Sequence, residues 1–144
     1  MALAALAIQM PIYDRWLAWF DEGFVYQIAS ELVGGAVLYR DVAHIAFPGV
    51  FELTAGLFAL VGPSAVAGRM LAVALFVTTA LSTLALARTV LPLAWAVIAA
   101  MLFVLFRPWA FPQWQMLHYS VLSVTMLAIA AWLLARALPQ PSRR

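Results

Sequence analysis

Two adjacent carboxylates, Asp21 and Glu22, are the residues of the sequence best suited to chemistry. A carboxylate at the edge of an apolar segment loses hydration and becomes a better general base. Two carboxylates side by side could also hold a divalent cation through oxygen ligands. In the structural alternative, Asp21 caps the N-terminus of a helix and Glu22 is a solvated acid of its first turn. Residue types alone favour this alternative, because acids are common at helix N-termini.

Six further residues are of types that bind polar or anionic substrates: Arg40, Asp41, His44, Arg69, His118 and Tyr119. The first two could bind an anionic headgroup, although a surface ion pair between them is the simpler explanation. Arg69 could bind a lipid phosphate, and ordinary contact with the membrane surface explains it equally well. His44 could be a ligand or an acid–base group, but a lone loop histidine is more often solvated. The last two could contact a substrate or anchor a helix at the membrane interface.

The composition is that of an integral membrane protein. Of the 144 residues, 67% are apolar and 10% are charged, and the mean hydropathy is +1.00. Soluble domains are roughly 45–50% apolar and about 25% charged, and disordered chains are less apolar still. The net charge of +2 forms no basic run, so no nucleic-acid partner is predicted. The chain has no cysteine and only two histidines, too few of the usual ligands for a zinc site built by the protein.

The spacing of the charged residues predicts the elements that position these side chains. All six acids lie between residues 14 and 52, whereas the arginines continue along the chain. Arg69, Arg88 and Arg107 are separated by stretches of 18 uncharged residues. Such a stretch makes roughly 27 Å of helix, close to the thickness of the hydrocarbon core. We predict a partial first span, a charged loop, three further spans and a tail, at residues 1–13, 14–62, 64–90, 92–106, 116–136 and 137–144.

Two short helices are predicted within the charged loop. The first begins at Asp21 as N-cap and ends at Gly34-Gly35, and its apolar residues Phe24, Ile28 and Leu32 recur every four positions. This spacing is typical of a helix that lies at the membrane interface. Pro48-Gly49 and Gly62-Pro63 bound the second helix, over 49–61, which is too short to cross a bilayer. We therefore predict an all-α integral membrane protein, a multi-helix transmembrane bundle with two juxtamembrane helices.

Short motifs follow one another in a distinctive order: Asp21-Glu22-Gly23-Phe24, Leu38-Tyr39-Arg40-Asp41, His44, Phe47-Pro48-Gly49, Gly62-Pro63-Ser64, Arg69-Met70-Leu71 and Leu117-His118-Tyr119-Ser120. Their order and spacing resemble the N-terminal part of the GT-C superfamily of membrane glycosyltransferases. The most similar members are the family 39-like enzymes, which are related to protein O-mannosyltransferases and to the lipid A aminoarabinose transferase. Such enzymes have many more spans, and residues 1–12 are too short to cross a bilayer. We therefore expect the chain to be an N-terminal fragment, inactive alone.

The resemblance implies transfer of a sugar from a polyprenyl-phosphate donor to an extracytoplasmic lipid, glycan or protein. In this family Asp21 would be the general base, or a cation ligand in metal-using relatives, and Glu22 would orient the acceptor or the base. Arg40 and Arg69 would stabilise the departing phosphate. The substrate-binding set would also include Asp41, His44, His118 and Tyr119. No cofactor is implied beyond an optional divalent cation.

The resemblance also implies a multi-pass protein of the bacterial inner membrane. Residues 14–62 and 107–115 would lie outside the cytoplasm, and residues 137–144 inside. A second hypothesis is a non-catalytic small multi-pass protein that acts as a partner subunit, in which the charged residues only anchor helices at the interface. A transporter is disfavoured, because residues 70–87 and 89–106 contain no ionisable group to mark a pathway.

Overall fold

The computed structural model describes residues 1–13, 15, 21–109 and 116–138, and these form six α-helices and no strand. The helices are α1 (Ala2–Gln9), α2 (Asp21–Val33), α3 (Gly49–Val61), α4 (Ala65–Ala87), α5 (Leu93–Trp109) and α6 (Tyr119–Ala137). The prediction of an all-helical chain is confirmed for the described residues.

Two of the helices are long and apolar enough to cross a membrane: α4, with 23 residues, and α6, with 19 residues. They occupy most of the predicted spans 64–90 and 116–136. The third predicted span, 92–106, corresponds to α5, whose apolar part ends at Phe106 and is too short to meet the same criterion. The prolonged helix reaches Trp109, so Arg107 and Pro108 belong to α5 and not to the interfacial loop expected at 107–115. Residues 110–115 and 139–144 lie outside the described residues.

Local sequence signals determine where α3 and α4 begin and end. The predicted helix 49–61 is confirmed, since α3 starts directly after Pro48 and stops at Gly62. Gly62 has φ 84°, a left-handed conformation that glycine adopts without steric cost. Ser64 is the N-cap of α4, and its side chain accepts a hydrogen bond from the Ala67 N–H at 3.5 Å. These backbone signals need no tertiary context, which is why they can be predicted from the sequence.

The structure of α2 differs from the expected N-cap and shows what its apolar face contacts. The helix begins at Asp21 itself, so this residue is in the first turn and is not the N-cap. Most of the apolar stripe faces protein, because Ile28 is 2% exposed in the protein core and Leu32 packs against that core. Phe24 remains partly exposed and contacts the His44 ring. An amphipathic pattern gives the same signal whether the apolar face meets lipid or protein.

The packing is centred on α4, the longest helix, which contacts α1, α3, α5 and α6. Between α4 and α6, the hydroxyls of Thr79 and Thr125 lie 2.8 Å apart and are both buried. Interhelical hydroxyl pairs of this kind supplement van der Waals packing where neighbouring surfaces are apolar. Pairing of α2 with α3 places the acidic end of α2 beside α4, and this arrangement forms the candidate site.

Candidate functional site

A buried ion pair joins the start of α2 to α4. Arg69 Nε donates to Glu22 Oε1, and Arg69 Nη2 donates to Glu22 Oε2, both at 3.0 Å. The two side chains are 10% and 2% exposed. A bidentate arginine–carboxylate contact combines charge with a fixed planar geometry. Because Glu22 lies in the first turn of α2, the pair determines where this turn lies against α4.

Tyr26 completes this cluster from the next turn of α2. Its hydroxyl donates to Glu22 Oε1 at 2.7 Å, so the same oxygen accepts hydrogen bonds from Tyr26 and Arg69. Burial raises the pKa of Tyr26 far above its usual value, and the hydrogen bond to Glu22 raises it further. The phenol therefore stays protonated and acts as a permanent donor to the carboxylate.

Gly68 makes the close approach of Tyr26 to α4 possible. A Cβ atom at position 68 would overlap the far end of the Tyr26 ring. The glycine precedes Arg69, so adjacent residues of α4 contact the ring of Tyr26 and the carboxylate of Glu22. Sequence reasoning missed Tyr26 and Gly68. The four-residue spacing between Glu22 and Tyr26 could have identified Tyr26, because such residues are neighbours on one helix face. No local signal in the sequence identifies Gly68.

Asp21 lies in a different environment from its neighbour Glu22. It is exposed, and it lies on the wall of a cavity of about 360 Å³. Apolar side chains from three regions make up most of the wall: Phe76, Phe103, Phe106, Met116, Val121 and Val124. Thr79, His118 and Ser120 are the other polar residues of the lining in the part of the chain that the structure describes. Among the described residues, the cavity wall thus combines the carboxylate of Asp21 and the imidazole of His118 with a largely aromatic and apolar lining.

Two other predicted substrate-binding residues, Arg40 and Asp41, lie away from this cavity. Arg40 and Asp41 form an exposed bidentate pair, with contacts of 3.0 and 2.8 Å. The hydrogen bond from Arg40 lowers the pKa of Asp41, and one from the Val37 N–H lowers it further. The same contact with Asp41 raises the pKa of Arg40. These two residues compensate each other's charge at the surface, away from the lining of the cavity that contains Asp21.

His44 and Tyr119 line a second cavity, of about 400 Å³. The His44 ring lies between Phe24 and Phe51, with centroid distances of 5.1 and 4.8 Å. His118 and Tyr119, although adjacent in sequence, line different cavities, and their ring centroids are 3.9 Å apart. His118 also caps α6, because its Nδ1 accepts a hydrogen bond from the Ser120 N–H at 3.2 Å.

The divalent cation considered for the two acids does not fit the observed donor set. Both oxygens of Glu22 already accept hydrogen bonds from Arg69, and one also accepts from Tyr26. Within the part of the chain that the structure describes, no group of three or more His, Cys, Asp or Glu side chains could hold a metal ion. We therefore derive no step through a metal.

Comparison with known protein families, curated proteins and solved structures gives no match to this chain. The functional interpretation consequently depends on the site itself.

Proposed function

We propose that this chain is the N-terminal part of a membrane glycosyltransferase that moves a sugar from a polyprenyl-phosphate donor to an extracytoplasmic acceptor. The observation that supports this most is the position of Asp21, a carboxylate on the wall of an otherwise largely apolar cavity. An isoprenoid chain requires an apolar surface, and an attacking hydroxyl requires a base. The cavity offers both, and its aromatic wall is of a type that accommodates large apolar ligands.

In the proposed reaction the acceptor oxygen forms a bond to the anomeric carbon of the sugar. The bond from this carbon to the phosphate oxygen breaks, and the lipid phosphate leaves with the electron pair. Asp21 accepts the proton of the acceptor hydroxyl, and attack from the face opposite the leaving group inverts the anomeric centre. His118 lies on the same cavity wall, and we assign it to binding a substrate through a hydrogen bond.

The proposed roles of the two arginines differ. Arg69 is bound to Glu22, so we assign it to positioning the first turn of α2 and not to contacting phosphate. Arg40 is 69% exposed. We therefore assign it to binding the anionic donor at the membrane surface. Glu22 accordingly orients the base, which is one of the two roles that the family resemblance implies for it.

Membrane topology belongs to the same proposal. We place α4 and α6 across the bacterial inner membrane, with α5 crossing between them where the bilayer thins or the segment tilts. The loop with α2 and α3 then lies outside the cytoplasm. In the alternative, a non-catalytic partner subunit, the Glu22–Arg69 pair would only dock α2 on α4.

Transfer by an Asp21→Asn variant distinguishes the two functions. The assay measures radiolabelled sugar released from the polyprenyl-phosphate donor to acceptor, in membranes that contain the full-length protein. A general base contributes about 10²–10⁴ in rate, so we expect a loss of at least that lower factor. Glu31→Gln is the matched control, because Glu31 is an exposed acid of the same helix, bound only by the side chain of Gln27 among the contacts described. Equal rates for both variants would contradict the proposal and favour the partner subunit.

A further inference from the structure

The loop between α2 and α3 carries two large apolar side chains that no part of the described structure covers. We define residues 44–47 as the loop tip. Ile45 is 104% exposed and Phe47 is 88% exposed, the highest values among the large apolar side chains of the described residues. Isolated apolar residues are common on protein surfaces, but two such residues on one projecting loop indicate a contact surface.

Hydrogen bonds within the loop maintain this exposure. Ala46, between the two apolar residues, donates its N–H to His44 Nδ1 at 2.8 Å and accepts from the Tyr39 hydroxyl at 2.6 Å. Tyr39 itself has φ 68°, a left-handed conformation that is uncommon for a residue with a side chain. The contacts of His44 with two phenylalanines fix the base of the tip. Ile45 and Phe47 therefore project because the backbone is held in place.

The loop tip lies against the beginning of α6. Between them is the second cavity, whose lining includes Ile45, Phe47, Tyr119 and Leu122. The surface of α6 farther along is apolar and uncovered, as shown by Leu127, which is 70% exposed. The exposed side chains of the tip thus continue the apolar surface of a helix that is able to cross a membrane. Tyr119 stands at the junction, in a position typical of interfacial aromatic residues.

We propose that the loop tip inserts Ile45 and Phe47 into the extracytoplasmic leaflet of the inner membrane, beside the point where α6 enters the bilayer. The partner is the lipid surface itself. The inference depends on the membrane placement of the proposed function but not on sugar transfer. Since His44 contacts Phe24 of α2, insertion of the tip also sets the depth of α2, and with it the height of Asp21 above the membrane.

The absence of cysteine from the chain permits a direct test. Ile45→Cys and Phe47→Cys are each labelled with the fluorophore NBD, and the full chain is reconstituted in phosphatidylcholine vesicles. Doxyl-labelled lipid quenches a label in the bilayer, whereas iodide quenches a label in water. Leu127→Cys on α6 is the lipid-facing reference. Gln27→Cys, at an exposed polar position of α2, is the aqueous reference.

We expect both tip labels to behave as the Leu127 label does, with several-fold stronger quenching by doxyl lipid and several-fold weaker quenching by iodide than at position 27. Tip labels quenched by iodide would place the tip in water and overturn the inference. Protection from both quenchers would show that protein covers the tip, and would also overturn it. If the Leu127 label is itself accessible to iodide and not to doxyl lipid, the membrane placement fails together with the inference.

Discussion

Two arginine–carboxylate pairs in the described structure have nearly the same geometry in opposite surroundings. Arg69 binds Glu22 and Arg40 binds Asp41, each through Nε and Nη2 at 2.8–3.0 Å. The first pair is at most 10% exposed, and its members are 47 residues apart. The second is 69% and 41% exposed, between neighbours in sequence. The buried pair exists only if α2 is docked on α4, whereas the exposed pair requires no fold.

This contrast shows that hydrogen-bond geometry alone does not determine how much an ion pair contributes to stability. Water and salt screen the exposed charges, and two neighbouring residues already meet in the unfolded chain. Removing one member of a buried pair leaves the other charge away from water without its counter-charge. The buried pair therefore serves as the attachment of α2, while the exposed pair contributes little to the stability of the fold.

Breaking the buried pair should have the largest effect. We expect Glu22→Gln or Arg69→Gln to lower the free energy of unfolding by about 3–5 kcal/mol, because a buried charge loses its partner. The measurement is denaturant-induced unfolding in detergent micelles. A loss as small as that of an exposed-acid variant such as Glu31→Gln would contradict the burial of this pair.

Removing the tyrosine hydroxyl weakens the same cluster while keeping both charges. Tyr26→Phe deletes the 2.7 Å hydrogen bond to Glu22, and bonds to charged groups contribute about 1.5–3 kcal/mol. We expect a loss of stability in this range, measured in the same unfolding assay. Tyr39→Phe, which removes an exposed hydroxyl bonded to a neutral carbonyl, should cost less. The reverse order would argue against Tyr26 as a donor to the carboxylate.

Filling the space at Gly68 should displace the Tyr26 ring. Gly68→Ala introduces a Cβ atom that overlaps this ring, and overpacking costs about 1–3 kcal/mol. Gly56→Ala is the matched control within α3, since nothing lies within 4 Å of a Cβ atom there. Alanine in that helix interior should stabilise by about 0.5–1 kcal/mol. Opposite signs for the two variants are expected from thermal unfolding, and stabilisation by both would contradict the contact.

Breaking the exposed pair between Arg40 and Asp41 should change the stability of the protein least. Arg40 lowers the pKa of Asp41, so the pair's contribution to stability is complete above the unfolded-state pKa of Asp41 and is lost as pH falls through its folded-state pKa. Because both side chains are exposed, we expect Arg40→Gln to leave the unfolding midpoint unchanged. The same variant should raise the pKa of Asp41 toward its usual value, as measured by carboxyl NMR. An unaltered pKa would exclude the pair in solution.

Much of the fold follows from local sequence signals, but the site depends on contacts that are distant in sequence. Pro48-Gly49 and Gly62-Pro63 predict the ends of α3 because they act on the adjacent backbone. The Glu22–Arg69 contact spans 47 residues, and residue types alone do not distinguish it from pairing with lipid phosphate. Likewise, the periodicity of α2 identified an apolar face but could not show that Ile28 is buried against protein.

A double-mutant cycle on Glu22 and Arg69 tests most directly whether the two residues act as one unit that holds α2, and with it Asp21, at the cavity. Stability is measured for Glu22→Gln, Arg69→Gln and the double variant. We predict that the double variant loses less than the sum of the single losses, by about 0.5–3 kcal/mol, because residues in one ion pair are coupled. Strictly additive losses would show that the pair does not form and would contradict the docking of α2.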